Sequence, residues 1–588
     1  MTLHRMVAHF RLKCVLKTVV LLFIFSASTY SHGNESSPSR PELVEMFDAI
    51  RILREPHIVD GIPDYSAAAV EKQKRSLVER RAHFDRLDPT TWSVRDQIDY
   101  LIVRSELDTL EYGFKVYRAT SRNPNFYLSR RSSFGLSAGA TLSRLYQLVR
   151  QPPPFEQIRI RQILDHMHNI PRILEQAKQN LTEPNHQMSG WALPNLVNAR
   201  ENSRNFAAGL TVHFPPVDAE ELISAADEMG IAFENYRLWI EARLPEMAGA
   251  KPIGREMYDW MLKRIWLLPY DADDILRFGE QEFGRYMSFT TFEEARNHGL
   301  PTPVRAKTTA EYAANTASDA KSIRQFLTKK KVLTIPDYVG PYRRMLMPTY
   351  IQAFPDWAAL SSYSTPGNGV MKYSVPEDHP FTNTYWEAIM RIDASTNIFH
   401  DGIPGHHYQG VVSARHPSPI RSQHRDRFKS EGWSTYWEET AVQLGFYDER
   451  PRSRELIYNF LRLRAIRVII DVKMALGEMT VDEGTTALMS TPMDYRIARE
   501  EVDDFFAAPT GGIVYQIGKM QIERLLGERR GQLGERFDLR EFHDELVAAA
   551  WVPIELTRWQ MTGRGDNARR MLEDRTPMPF DEPTSNLR

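Results

Sequence analysis

The stretch Leu222-Ile223-Ser224-Ala225-Ala226-Asp227-Glu228-Met229-Gly230-Ile231-Ala232-Phe233-Glu234-Asn235-Tyr236-Arg237-Leu238-Trp239-Ile240 sets the fold class. Leu222, Ala225, Ala226, Met229, Phe233, Tyr236 and Ile240 recur at spacings of three and four, and so line up as one face of a helix. Such a face is built to pack in a core. From about residue 43 to 290 most chain breakers fall between segments of helix length, and the prolines at 152–154 and 215–216 divide the segment into helix groups rather than separate domains. The pattern predicts a mainly α protein.

Residues 291–380 change character. Pro301, Pro303, Pro336, Pro341, Pro348, Pro355, Pro366 and Pro376 interrupt the periodicity, and the β-prone piece Lys331-Val332-Leu333-Thr334-Ile335 lies among them. A minor β element or long ordered loops are expected there. A helix is predicted from about Asn383 through Phe399, and helices again at 430–447, 455–476, 497–507 and 512–527. The division that follows is a helical N-terminal lobe over 43–290 and a second lobe over 291–580, within one continuous domain.

The N-terminus reads differently. Arg5, Arg11, Lys13 and Lys17 precede the apolar run Thr18–Phe25, with Ser26, Ala27 and Ser28 after it, which is the layout of a secretory signal over 1–32. The run is too short to span a bilayer comfortably. A polar, breaker-rich linker over 33–42 follows. The only cysteine, Cys14, lies before the apolar run, so a chain cleaved there has no thiol for a disulfide, a nucleophile or a metal. A secreted or periplasmic location is expected, without stable membrane insertion after cleavage. The net charge of -2, from 74 basic and 76 acidic residues, gives no footprint for a polyanion, so no nucleic-acid partner is expected.

Chemistry concentrates in His400-Asp401-Gly402-Ile403-Pro404-Gly405-His406-His407-Tyr408-Gln409 and in Glu431-Gly432-Trp433. Three imidazoles and two carboxylates are the usual nitrogen and oxygen ligands of zinc. The alternative is a hydrogen-bonded, His-rich turn without a metal. On an unbroken helix His400 and His407 would stand about 10.5 Å apart along the axis, too far for one ion. The chain must therefore kink or restart at Pro404 if His400 is to share a metal with His406 or His407. Spacing does not choose between those two. Asp401 is the candidate general base, Glu431 the candidate third ligand, and Glu438 either a ligand or a partner that orients a histidine.

The motif resembles the His-Glu-x-x-Pro-Gly-His-His-x-Gln signature of the bacterial proteins catalogued as domain of unknown function 885, regarded as zinc metallopeptidases related to the helical gluzincins. Glu431–Glu438, Pro509–Lys519 and Phe537–Asp544 are similar to further segments of that family, and the resemblance covers most of the chain after the leader. It implies a large helical clam-shell with a deep central cleft, and Zn2+ held by His400, by His406 or His407, and by Glu431. It also implies a carboxylate base at 401 and hydrolysis of a short peptide. By analogy with related helical peptidases, Tyr515 would donate a hydrogen bond to the oxyanion, with His543 a second candidate. Three positions depart from the pattern. Asp401 stands where the family has Glu, Ala475 where a similar stretch ends in His, and residues 365–369 lack the usual loop. The other functions these residues allow are a metal-dependent amidase or esterase and an inactive member that keeps the cleft.

Overall fold

The computed structural model describes residues 39–580 except 130–133, 250, 355–356, 358–361, 366, 380–381 and 383. The expected leader and the first part of the linker lie outside the described residues. The helix Pro41–Arg54 begins inside the expected 33–42 linker, with proline in its first turn, where a missing N–H costs no hydrogen bond.

The fold is mainly α with a minor β element. The expected amphipathic stretch lies within the helix Pro216–Arg243, and all seven residues of its predicted face are buried. They belong to a large apolar core that gathers helices from the first half of the chain and also Leu556, Trp559 and Met571 from its end. A second core surrounds the His motif. It contains Ile398, Phe399, Ile403, Tyr408, Trp433, Tyr436 and Trp437. Polar contacts tie the first core to the segment that follows the motif: Arg421 Nε donates to Asp99 Oδ1 at 2.7 Å, both side chains being buried.

Two expectations are corrected. The predicted helix over 383–399 is two helices, Tyr385–Ile392 and Ala394–Asp401. Asp393 between them is extended (φ -144°, ψ 107°), and its carboxylate accepts the Ser395 N–H at 2.9 Å, so it caps the second helix instead of continuing the first. The β-prone piece at 331–335 forms no strand, because Lys331 takes a left-handed conformation (φ 53°) that ends the helix Thr309–Lys330.

The strands lie further on. Gly369–Ser374 is the middle strand of three, parallel to Tyr342–Leu346 and antiparallel to Ser362–Thr365. Tyr342 pairs with Val370 and Arg344 with Lys372, and alternation turns these four side chains to one face. That face meets the motif helix: Tyr342 Oη and Arg344 Nη2 both donate to Asn397 Oδ1, at 2.9 and 2.6 Å. Two short strands near the N-terminus, His57–Val59 and Ile62–Asp64, form a hairpin that the sequence reading did not anticipate.

Candidate metal centre

The helix Ala394–Asp401 carries His400 in its last turn, and a new helix, His406–Ser413, starts at His406. The restart needed at Pro404 is present. Four residues reverse the chain between the two helices, and the turn is so tight that a Cβ on Gly405 would overlap the His400 carbonyl group. Only glycine fits there. The Trp433 indole N–H donates to the Pro404 carbonyl at 2.7 Å and fastens the turn to the helix Arg427–Gln443, which bears Glu431.

This geometry brings His400, His406 and Glu431 together and leaves His407 out. Ligand atoms of the three all lie within 4.8 Å of one another. Glu431 Oε2 is 3.4 Å from His400 Nε2 and 3.3 Å from His406 Nε2. His407 faces the other way, with Nε2 3.0 Å from the Gly340 carbonyl oxygen, and so acts as a structural tie to the loop before the sheet. Consecutive helical residues point about 100° apart, so only one of the pair can face the triad.

Each histidine is held by its other nitrogen. His400 Nδ1 lies 2.7 Å from Glu438 Oε1, and Arg464 clamps that carboxylate with Nη2–Oε1 2.7 Å and Nη1–Oε2 2.8 Å. With Nδ1–H donated to Glu438, the Nε2 lone pair is turned toward Glu431. His406 Nδ1 has the hydroxyls of Ser434 and Ser430 at 3.1 and 3.3 Å. Burial alone would lower the pKa of His400, but Glu431 and Glu438 outweigh it and raise it to about 9. Glu431 is held well below the usual carboxylate range, against its burial, by the charges of His406 and His400.

The residues fit a metal ion. Glu431 Oε2 is buried and accepts no aligned hydrogen bond, although two ring nitrogens stand close to it. Bonds of about 2.0–2.2 Å in a tetrahedron separate adjacent donors by roughly 3.3–3.6 Å, which is the spacing of Glu431 Oε2 from each ring nitrogen. A zinc ion there would be held by two imidazoles and one carboxylate, with the rings giving up their extra protons, a donor set that leaves a fourth position open in catalytic zinc sites.

Asp401 does not stand free. Its Oδ2 is ion-paired with Lys372 from the middle strand and accepts from Asn397 Nδ2 at 2.7 Å. Burial works against ionisation, but the Lys372 charge prevails and keeps the carboxyl well below its ordinary range. Both contacts fall on Oδ2, and among the described residues nothing hydrogen-bonds to Oδ1.

Tyr515 lies at the start of the helix Val514–Leu533, its ring stacked on that of His400 with centroids 6.3 Å apart and planes at 24°. The hydroxyl makes no hydrogen bond among the described residues. The charge of Glu431, and then burial, pushes it up to about 12, so the hydroxyl stays protonated and able to donate. Asp471 fixes the preceding loop by accepting from Thr510 N–H at 2.9 Å and Gly512 N–H at 2.7 Å.

His543 is elsewhere, fully buried, with Nδ1 2.6 Å from the Val332 carbonyl oxygen and Nε2 2.8 Å from the Tyr436 hydroxyl. Ala475 packs in a small apolar cluster with Tyr258, Val468 and Val472. Sequence reasoning missed Lys372, Asn397 and Arg464. Asn397 was readable, being four residues before Asp401 on one helix. Lys372 carried no local signal, since it arrives through the sheet.

The description "bacterial protein of unknown function (DUF885)" names the family whose model matches residues 53–561. The chain belongs to the DUF885 family. Among solved structures it is similar to the "putative lipoprotein of unknown function from Shewanella oneidensis", with 16% identity and a TM-score of 0.64, over 88% of this chain and 97% of that one. It is also similar to the "putative lipoprotein from Colwellia psychrerythraea", with 14% identity and a TM-score of 0.65, over 90% and 97%. At these identities the likeness shows the fold. None of the curated proteins matches. No helix among the described residues is long and apolar enough to cross a membrane.

Proposed function

We propose that this DUF885 chain is a zinc-dependent hydrolase, in the first instance a metallopeptidase acting on short peptides. One observation carries the reading: a buried carboxylate oxygen without an aligned hydrogen bond, set between two imidazole Nε2 atoms whose rings are each held at Nδ1 by an outer partner. A zinc ion bound there supplies a Lewis acid for the scissile carbonyl and lowers the pKa of water.

The remaining tasks fall to the chain. His400 and His406 are held in fixed orientations, and Glu431 brings the third donor. Asp401 Oδ1 is the oxygen able to take a proton from the attacking water and pass it to the leaving nitrogen. The balance is simple: the water oxygen bonds to the carbonyl carbon, the C–N bond breaks, and the amine leaves with the transferred proton. Tyr515 donates its hydroxyl hydrogen to the oxygen that gains charge. Lys372 holds Asp401 ionised and in place.

A second reading is favoured by the Lys372–Asp401 pair, which makes Asp401 a weak base: a binding protein that keeps the metal but turns nothing over. An amidase or esterase using the same groups is distinguished only by substrate. The N-terminal signal pattern and the lipoprotein designations of the similar structures support export to the cell envelope or beyond.

The test is metal content and hydrolysis in the same samples of the full-length mature protein. We expect about one zinc per chain, lost in His400→Ala and Glu431→Ala and retained in His407→Ala, with chelator-sensitive cleavage of short peptides. Zinc bound without cleavage of peptides, amides or esters selects the binding protein. No bound metal after zinc is supplied sinks the mechanism.

A further inference from the structure

Three guanidinium groups act on Tyr515, and two of them are already neutralised. Those of Arg464 and Arg467 lie 5.5 and 5.3 Å from its ring centre. Arg464 is bound by Glu438, and Arg467 Nε by Glu501 Oε2 at 2.7 Å. The third is Arg427, which is exposed and whose side chain has no ion pair or hydrogen bond with any described residue.

Its position is informative. Arg427 opens the helix Arg427–Gln443 four residues before Glu431. Side chains four apart lie on one helix face, one turn from each other. Glu431 points at His400 and His406, so the face it shares with Arg427 is the one that looks on the triad. The charge of Arg427 also reaches the Tyr515 hydroxyl, whose ring is stacked on His400, as well as the Asp426 and Asp471 carboxyls. An exposed guanidinium with all its donors free, beside a group of donors that would hold a scissile carbonyl, is built to take a carboxylate through two parallel N–H···O bonds.

We propose that Arg427 receives the C-terminal carboxylate of the substrate, which makes the preferred ligands short peptides with a free C-terminus. One helical turn is about 5.4 Å, and an extended peptide advances about 3.3–3.6 Å per residue. An anchor on the same helix face as Glu431 puts the scissile bond near the C-terminal end of the peptide, so one product is a short C-terminal fragment. The inference rests on the hydrolase reading for the bond broken, but not for the ligand bound.

Binding therefore tests it apart from turnover. Uncleavable peptides carrying a reduced bond at the penultimate linkage, made as a free acid and as the C-terminal amide, are titrated into the zinc-loaded full-length protein. The free acid should bind at least tenfold more tightly than the amide. Arg427→Ala should bring the two within about threefold of each other, and Arg427→Lys should keep part of the difference. Equal binding of acid and amide by the unaltered protein overturns the proposal, as does a discrimination that survives in Arg427→Ala. Turnover of the cleavable acid, followed separately, reports on the hydrolase reading alone.

Discussion

A histidine near a metal is useful only when its lone pair is aimed, and here the aim is set by groups that touch no substrate. Glu438 takes the Nδ1 side of His400 and is itself clamped by Arg464. Replacing Glu438 by Gln keeps the shape but weakens the hold on Nδ1–H and leaves the buried Arg464 without its counter-charge. Loss of such partners commonly costs 10–100-fold in metal affinity. Glu438→Gln is thus expected to bind zinc roughly tenfold or more weakly in competition with a chromophoric chelator, and an unchanged affinity would count against the orienting role. Much at this scale was legible in the sequence: residue types nominated His400 and Glu431, the family resemblance nominated Tyr515, and helical spacing put Glu438 on the right segment. The choice between His406 and His407 was not legible. It depends on the direction in which the chain leaves the turn at Gly405, and that direction follows from close backbone packing that no spacing rule contains.

Among the elements, the crossing of Arg427–Gln443 with Val514–Leu533 has the greatest bearing on the site, because it sets Tyr515 against the His400–Glu431 pair. The two helices touch at Gly432 and Gly518. A Cβ on Gly432 would stand 2.5 Å from the Gly518 Cα, and one on Gly518 would stand 2.8 Å from the Gly432 Cα. Both contacts are with backbone, which cannot rotate away. Gly518→Ala must push the helices apart, and overpacking of this kind costs about 1–3 kcal/mol. The expected result is a lower melting temperature together with weaker catalysis or binding, since the tyrosine moves with its helix. A variant as stable as the parent would show that the crossing is not tight. Periodicity located the helices of this region, with ends a few residues off, because the pattern of buried faces is what folds them. It failed at Asp393, where a side-chain cap starts a new helix, and β propensity failed at 331–335, where a left-handed residue overrides it.

Over the whole molecule, the site rests on a core that contains an ionisable group kept neutral. His543 packs against Trp437 with ring centroids 4.7 Å apart, and both ring nitrogens have partners, the Val332 carbonyl and the Tyr436 hydroxyl. Burial lowers its pKa to about 4 from an ordinary 6.5, only partly offset by the bond to Val332. Between those values the unfolded chain binds a proton that the folded chain refuses. Its contribution to stability is therefore full above about pH 6.5 and is lost as the pH falls through 4. The whole shift corresponds to on the order of 3 kcal/mol. His543→Gln can still donate and accept hydrogen bonds but cannot titrate, so it removes this dependence whatever its uniform cost. The stability difference between parent and variant, from denaturant unfolding at pH 7, 6, 5 and 4, should shrink toward acid by an amount of that order. A difference that stays constant across the range would mean that His543 titrates alike in the folded and unfolded chains, and acid sensitivity of the protein would then have to come from its ion pairs.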